Sequence, residues 1–194
     1  TDTTSDQYGM YGIRWADSGD EFNSGDSGAL NGYLEVRDGN SADSKGIPYY
    51  MSQLDDFTRT FAQAFNEGVT AGTTEYSGHA DGVGLNDTTA IRFFSYDDLS
   101  SEELMASGTD VDAVYQNITA ANITVSKDIQ DDTDKIAAAS TDGGDEDATN
   151  LDDMISICED VTISGNATVT DLYNTIVATV STDAAYAEAQ YNRK

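Results

Sequence analysis

The chain has 194 residues and sets 36 acidic side chains against 9 basic ones, a formal net charge of −27. That balance argues against nucleic acid and anionic membranes as partners, because phosphate binding relies on Lys and Arg displacing counterions. A hydrophobic fraction of 38% stands well above the disordered class and predicts one domain, or one with a subdomain, around a real core. No apolar run approaches the ~18 residues a membrane-spanning helix needs. The opening TDTTSDQYG has neither the basic nor the apolar region of a signal peptide. One cysteine, Cys158, leaves no internal disulfide. The missing initiator Met, and a helical texture still running at 186–194, lead us to expect an internal fragment of a longer protein.

In chain order, the aromatic and apolar run 8–15 (YGMYGIRW) predicts a strand or hairpin arm, with Trp15 as a core anchor, and the acidic, glycine-bearing 17–26 predicts a turn. Leu30, Tyr33, Leu34 and Arg37 then fall on one helical face. A second helix starts at Pro48, whose fixed φ and missing N–H suit a first turn, and stops before Gly68. Its stripe Tyr50, Leu54, Phe57, Phe61, Ala64 and Phe65 repeats at about 3.5 residues, the period of a seam between long helices. At ~1.5 Å per residue this element spans roughly 30 Å.

Residues 68–84 are rich in Gly and Thr and read as loop and short extended pieces. Residues 89–96 (TAIRFFSY) predict a strand, 110–121 a short helix, and 122–126 an edge strand. An acidic loop (141–150) leads to a short helix at 151–158. There Cys158 follows Met154, Ile155 and Ile157, and reads as a small core residue rather than a nucleophile. A turn-and-strand piece follows at 161–165. The last helix opens on a capping box, Thr168 with Asp171, and carries one apolar stripe through Val169, Leu172, Tyr173, Ile176, Val177, Val180, Ala184, Ala187 and Tyr191. Its matching period predicts that Phe57 and Phe61 pack against Leu172, Ile176 and Val180. The expected fold is α+β, with an elongated helical base from 1–68 and 150–194 and an inserted, strand-containing subdomain at 69–149.

Residues that could carry chemistry are few. His79, in the glycine-rich SGHADG, is the single histidine and reads as an exposed loop residue; a His-based triad or a standard zinc site cannot be assembled around it. The glycines of 78–84 lack the Lys-Ser/Thr of a phosphate loop. The acid runs 128–134 and 142–147 offer hard oxygen ligands, but neither matches a calcium loop. Four Asn-X-Thr sequons, at Asn86, Asn117, Asn122 and Asn166, would mean glycans in a eukaryotic secreted chain and are otherwise what so many Asn and Thr produce by chance. We expect neither cofactor nor metal, and no enzyme activity.

The run SGALNGYLEVRD (27–38), Ile-Pro-Tyr-Tyr (47–50), Gln53-Leu54-Asp55 and Asn66 resembles the central region of the flagellar hook-associated protein 1 (FlgK) family, the hook–filament junction proteins of bacterial flagella. AANITVSKDI (120–129) and DKIAAAS (134–140) resemble a second segment of that family, in the right order. The matching positions are Leu30, Leu34, Arg37, Asp38, Pro48, Tyr49, Leu54 and Asn66. GNSADSKG (39–46) departs from the pattern, since the family often runs more directly on, and we expect a mobile loop there. The resemblance implies a structural, non-catalytic component of the bacterial flagellum, exported unfolded through the flagellar type III channel. That component is extracellular and adapts one helical lattice to another. Its implied partners are the hook protein, neighbouring hook-associated proteins and, in the full-length protein, its own copies in a ring. The terminal assembly helices of the family are missing here, so this fragment is expected to be a soluble monomer. Two other readings stay open: an acidic, surface-exposed binding or adhesin module, and another axial flagellar protein such as a hook or filament-cap component.

Overall fold

The computed structural model of the chain describes residues 12–23, 28–141, 143–144 and 146–192. It is an α+β protein in which helices are joined by short antiparallel strand pairs. Contacts divide it into two compact units, Thr1–Gln53 and Leu54–Lys194. This boundary lies inside the second helix, away from the base-and-insert boundaries expected at 68/69 and 149/150. No helix among the described residues is long and apolar enough to cross a membrane.

In the first unit, residues 13–22 form a small hairpin. Arg14 pairs with Glu21, the Phe22 N–H donates to the Ile13 carbonyl (2.9 Å), and the Trp15 N–H donates to Asp20 (2.9 Å). The turn reverses at Gly19, whose φ of 75° few other residues adopt. The hairpin arm is thus seen from 12 onward, while 8–11 lie outside the described residues. Trp15 is not a core anchor: its ring meets Phe22 edge-on at 5.2 Å, and 54% of its surface stays open. Among the described residues, one aromatic neighbour on a two-stranded arm is too little to enclose an indole.

Helix α1 (Ala29–Asp38) follows, with no residue buried. The 39–46 segment is a closed structure rather than the loose loop expected. Asn40 pairs with Lys45, Ser41 and Ser44 exchange backbone hydrogen bonds (3.1 and 3.2 Å), and the Gly46 N–H donates back to the Gly39 carbonyl (2.9 Å). Both glycines are required by this approach: a Cβ on Gly39 would stand 2.6 Å from the carbonyl oxygens of Glu35 and Ser44. Helix α2 (Ile47–Glu67) then begins with Pro48 fully buried in its first turn, as the sequence predicts.

In the second unit, α2 ends where expected. Gly68 takes φ 74° and its N–H closes on Ala64 (2.9 Å). A hairpin of β1 (Val69–Ala71) and β2 (Thr74–Tyr76) follows. The predicted strand at 89–96 is ordered as β3 (Phe94–Tyr96), which pairs antiparallel with β4 (Ile123–Val125), the predicted edge strand. Between them lie α3 (Ser101–Ala106) and α4 (Val111–Tyr115). The α3 helix has no counterpart in the expected elements, although Ser100 and Glu103 form the capping box that starts it. The core forms here: Ala62 of α2 packs with Leu104, Val114, Tyr115 and Ile118, flanked by Phe94, Tyr96, Met105 and Ile123.

Helices α5 (Lys127–Asp131) and α6 (Thr149–Glu159) precede the hairpin of β5 (Thr162–Ser164) and β6 (Ala167–Thr168). The last helix is α7 (Val169–Tyr191), and its predicted capping box is present: Asp171 accepts from the Thr168 N–H (3.1 Å), and the Asp171 N–H donates to the Thr168 hydroxyl (3.2 Å).

Among the described residues, α2 and α7 do not form the broad seam expected. Helix α7 runs against α6 and β6 and meets α2 through Phe57 and Tyr173, whose rings lie 6.1 Å apart. The α2 stripe is covered instead by the adjacent rings of Phe93 and Phe94: Phe61 lies 5.3 Å from Phe94, and Phe65 lies 5.5 Å from Phe93. Two neighbouring rings offer more apolar surface to α2 than the Thr- and Ala-rich α7 does.

Candidate assembly surface

The residues singled out in the sequence separate into a buried lock and open faces. The lock is at the end of α2. Asn66 is fully buried, and its side-chain amide replaces a strand partner for the chain opposite. Its Oδ1 accepts the Phe93 and Phe94 N–H groups (2.9 and 3.0 Å), and its Nδ2 donates to the Phe94 carbonyl (2.8 Å). Beside it, Glu67 takes Arg92 in a two-pronged pair (2.8 and 2.9 Å) and also accepts from the Tyr115 hydroxyl (2.7 Å). Burial, with the Glu67 charge adding to it, holds the Tyr115 phenol far above its ordinary range, so it stays a donor. Further up α2, Asp55 accepts the Ala120 N–H (2.7 Å) and Arg59 donates to the Ile118 carbonyl (2.9 Å). The polar side of this helix thereby holds the 118–120 turn while its aromatic side holds β3.

His79 overturns its expected exposure: it is fully buried between two backbone segments. Its Nδ1 lies 2.7 Å from the Ile91 carbonyl, and its Nε2 accepts the Ala137 N–H at 3.0 Å. Burial moves its pKa down, against the Ile91 hydrogen bond. Cys158 is half-buried, and burial pushes its thiol up, the opposite of an activated nucleophile.

Two of the candidate calcium carboxylates, Asp128 and Asp147, are engaged in holding the fold. Asp128 accepts the Ser101 N–H (2.7 Å) and the Lys135 ammonium (2.9 Å). Asp147 gathers the hydroxyls of Ser140 (2.7 Å) and Thr149 (3.0 Å), and donation from Ser140 holds its carboxyl down to about 2. Asp142 and Asp145 lie outside the described residues. Among the described residues no group of three or more His, Cys, Asp or Glu converges as a metal site. A cleft of about 560 Å³ borders Glu67, Glu75 and Asp81. Glu67 is committed to Arg92, and Asp81 accepts the Gly78 N–H (3.0 Å).

No family model, curated protein or solved structure matches the chain.

The open faces are apolar. In the first unit they comprise Ile13, Trp15, Leu30, Tyr33, Val36, Ile47 and Met51, with Tyr33 74% exposed. Leu34 is half-buried, and Arg37 and Asp38 form a neighbouring ion pair at the surface (2.5 and 2.7 Å). That hydrogen bonding holds the Asp38 carboxyl below its ordinary value. Tyr49 stacks edge-on with Tyr50 (5.3 Å) beneath the Lys45 ammonium (5.7 Å). In the second unit α7 presents an open face, with Leu172 and Ile176 half-buried and Tyr173, Val177, Val180 and Tyr186 exposed, and Leu151 and Ile155 of α6 are exposed as well. Scattered apolar residues are ordinary on a protein surface. Stripes at helical spacing on two helices are what interaction faces look like.

Proposed function

We propose that the chain is a structural component of the bacterial flagellum, built into the junction between hook and filament, and that it acts by mechanical adaptation rather than catalysis. The observation that carries this reading is the pair of helices, α1 and α7, whose apolar stripes the described chain leaves uncovered. A protein that works alone gains nothing by leaving Tyr33, Val36, Val177 and Val180 in water. An axial component gains faces on which neighbours pack. The polar contacts of α2 with 92–94 and 115–120 fit the same reading, because they brace this helix from several sides. The resemblance of 27–66 and 120–140 to the hook-associated protein 1 family is what suggests the location. Hook protein, neighbouring hook-associated proteins and further copies of the chain are the proposed partners.

The test is deletion of the parent gene, with electron microscopy of the cells and assay of flagellin in the medium. Bare hooks with flagellin lost to the medium are expected. Normal filaments and motility would refute the junction role, and glycan or host-protein pull-downs would then test the adhesin reading.

A further inference from the structure

The partners of His79 leave its imidazole one protonation state. A carbonyl oxygen only accepts, so Nδ1 carries the proton that meets Ile91 (2.7 Å); an amide N–H only donates, so Nε2 offers its lone pair to Ala137 (3.0 Å). A second proton on Nε2 would set one N–H against another at that distance. Protonation of the ring and the contact with Ala137 therefore exclude each other.

We propose that His79 is an acid-released latch on the segment 136–139. Further hydrogen bonds hold that segment, among them one from the Ile136 N–H to the Thr133 carbonyl (3.1 Å). Val83 and Ala139 exchange backbone bonds (2.8 and 3.2 Å), Asn150 Nδ2 donates to the Ala137 carbonyl (2.7 Å), and the Leu151 N–H donates to Ala138 (3.1 Å). Asn150 Oδ1 is buried without a partner, so this corner already bears an unmet polar cost. Charged groups of the packed elements are spent elsewhere. Asp81 on the histidine's own turn takes the Gly78 N–H, and Arg92 next to Ile91 pairs with Glu67. Lys135 pairs with Asp128, and Asp153 on α6 takes the Ser77 N–H (3.0 Å). Among the described residues none of these charged groups is hydrogen-bonded to the imidazole, whose partners are the Ile91 carbonyl and the Ala137 N–H, so the imidazolium must reach water to form. The release is bounded on one side, because the Ser140–Asp147–Thr149 tie stays ionised far below the range in which a freed histidine titrates.

The linkage has a definite sign. When the segment opens, His79 titrates near its ordinary ~6.5, while the closed form resists the proton. Above that pH opening is independent of acidity. Below it, each pH unit favours the open form by about tenfold.

Amide hydrogen exchange on the whole chain between pH 8 and pH 5, normalised to intrinsic rates, reads this directly. Protection at Ala137 and Ala139 is expected to be flat down to ~6.5 and then to fall about tenfold per unit, with the core amides of Leu104 and Val114 unchanged. In His79→Gln, which keeps an acceptor and cannot titrate, the slope should vanish. If that variant does not fold, the imidazole resonances of the wild type decide, since the chain has one histidine. Proton uptake must then track the loss of Ala137 protection. A slope shared equally by Leu104 would mean global unfolding and overturn the latch. Titration near 6.5 with Ala137 still protected would overturn it too.

Discussion

Asn66 has the strongest claim to indispensability among single residues. Its amide satisfies three backbone groups of Phe93 and Phe94 inside the fold, and each group left bare costs about 1–3 kcal/mol. Asn66→Ala is expected to lose about 3–5 kcal/mol of stability, read by urea unfolding; a loss below about 1 kcal/mol would show that water replaces the amide freely. The family resemblance marked this position, but nothing in its local pattern says what it holds, because its partners lie 27 and 28 residues away. His79 was misread for a related reason. Its flanking glycines suggest an exposed loop, yet here they mark close packing: a Cβ on Gly78 would collide with the Asn66 and Gly68 backbone, and one on Gly82 with the Asn150 side chain. Glycine permits tight approach as readily as a turn, and composition does not separate the two.

Elements were more legible than their pairings. Period, proline, glycine and capping box located α2 and the start of α7 because those signals are local. A stripe at 3.5 residues shows that a helix has a face to cover; it does not name the cover, which proved to be Phe93 and Phe94. Helix α3 escaped because six residues are too few for a period, although its Ser100-x-x-Glu103 box was there to be read. The revised packing separates two substitutions that a uniform α2–α7 seam treats alike. Phe61→Asp puts a charge among Phe57, Phe65 and Phe94 and should cost at least ~3 kcal/mol. Leu54, 38% exposed, can turn an Asp to water, and Leu54→Asp should cost about 1 kcal/mol or less. Equal losses in melting experiments would restore the α2–α7 seam.

For the molecule as a whole, charge was legible at once and its distribution adds to it. Residues 1–53 hold 9 acidic against 3 basic side chains, and 54–194 hold 27 against 6. Self-repulsion therefore weighs most on the second unit. Its described ion pairs, such as Arg92–Glu67 and Lys135–Asp128, are partly sheltered and are screened less than open carboxylates. The screening length shrinks from about 10 Å at 0.1 M salt to about 3 Å at 1 M, so added NaCl should relieve more repulsion than attraction. The melting temperature is expected to rise by several degrees over that range, at roughly 0.25–0.5 kcal/mol per degree. A fall would mean that ion pairing outweighs the excess acid. The two apolar faces were only half legible: helical stripes can be read in a sequence, whereas their lack of cover is a property of the folded chain.

The closure at Gly39 and Gly46 has a consequence of another kind. Because the chain leaves and re-enters at points joined by a hydrogen bond, what lies between them is a detour, and the geometry of α1 and of the start of α2 does not record its length. Lengthening such a detour adds only a slowly growing closure entropy. This makes 40–45 a place where the chain can carry a grafted peptide while the residues on either side keep their register.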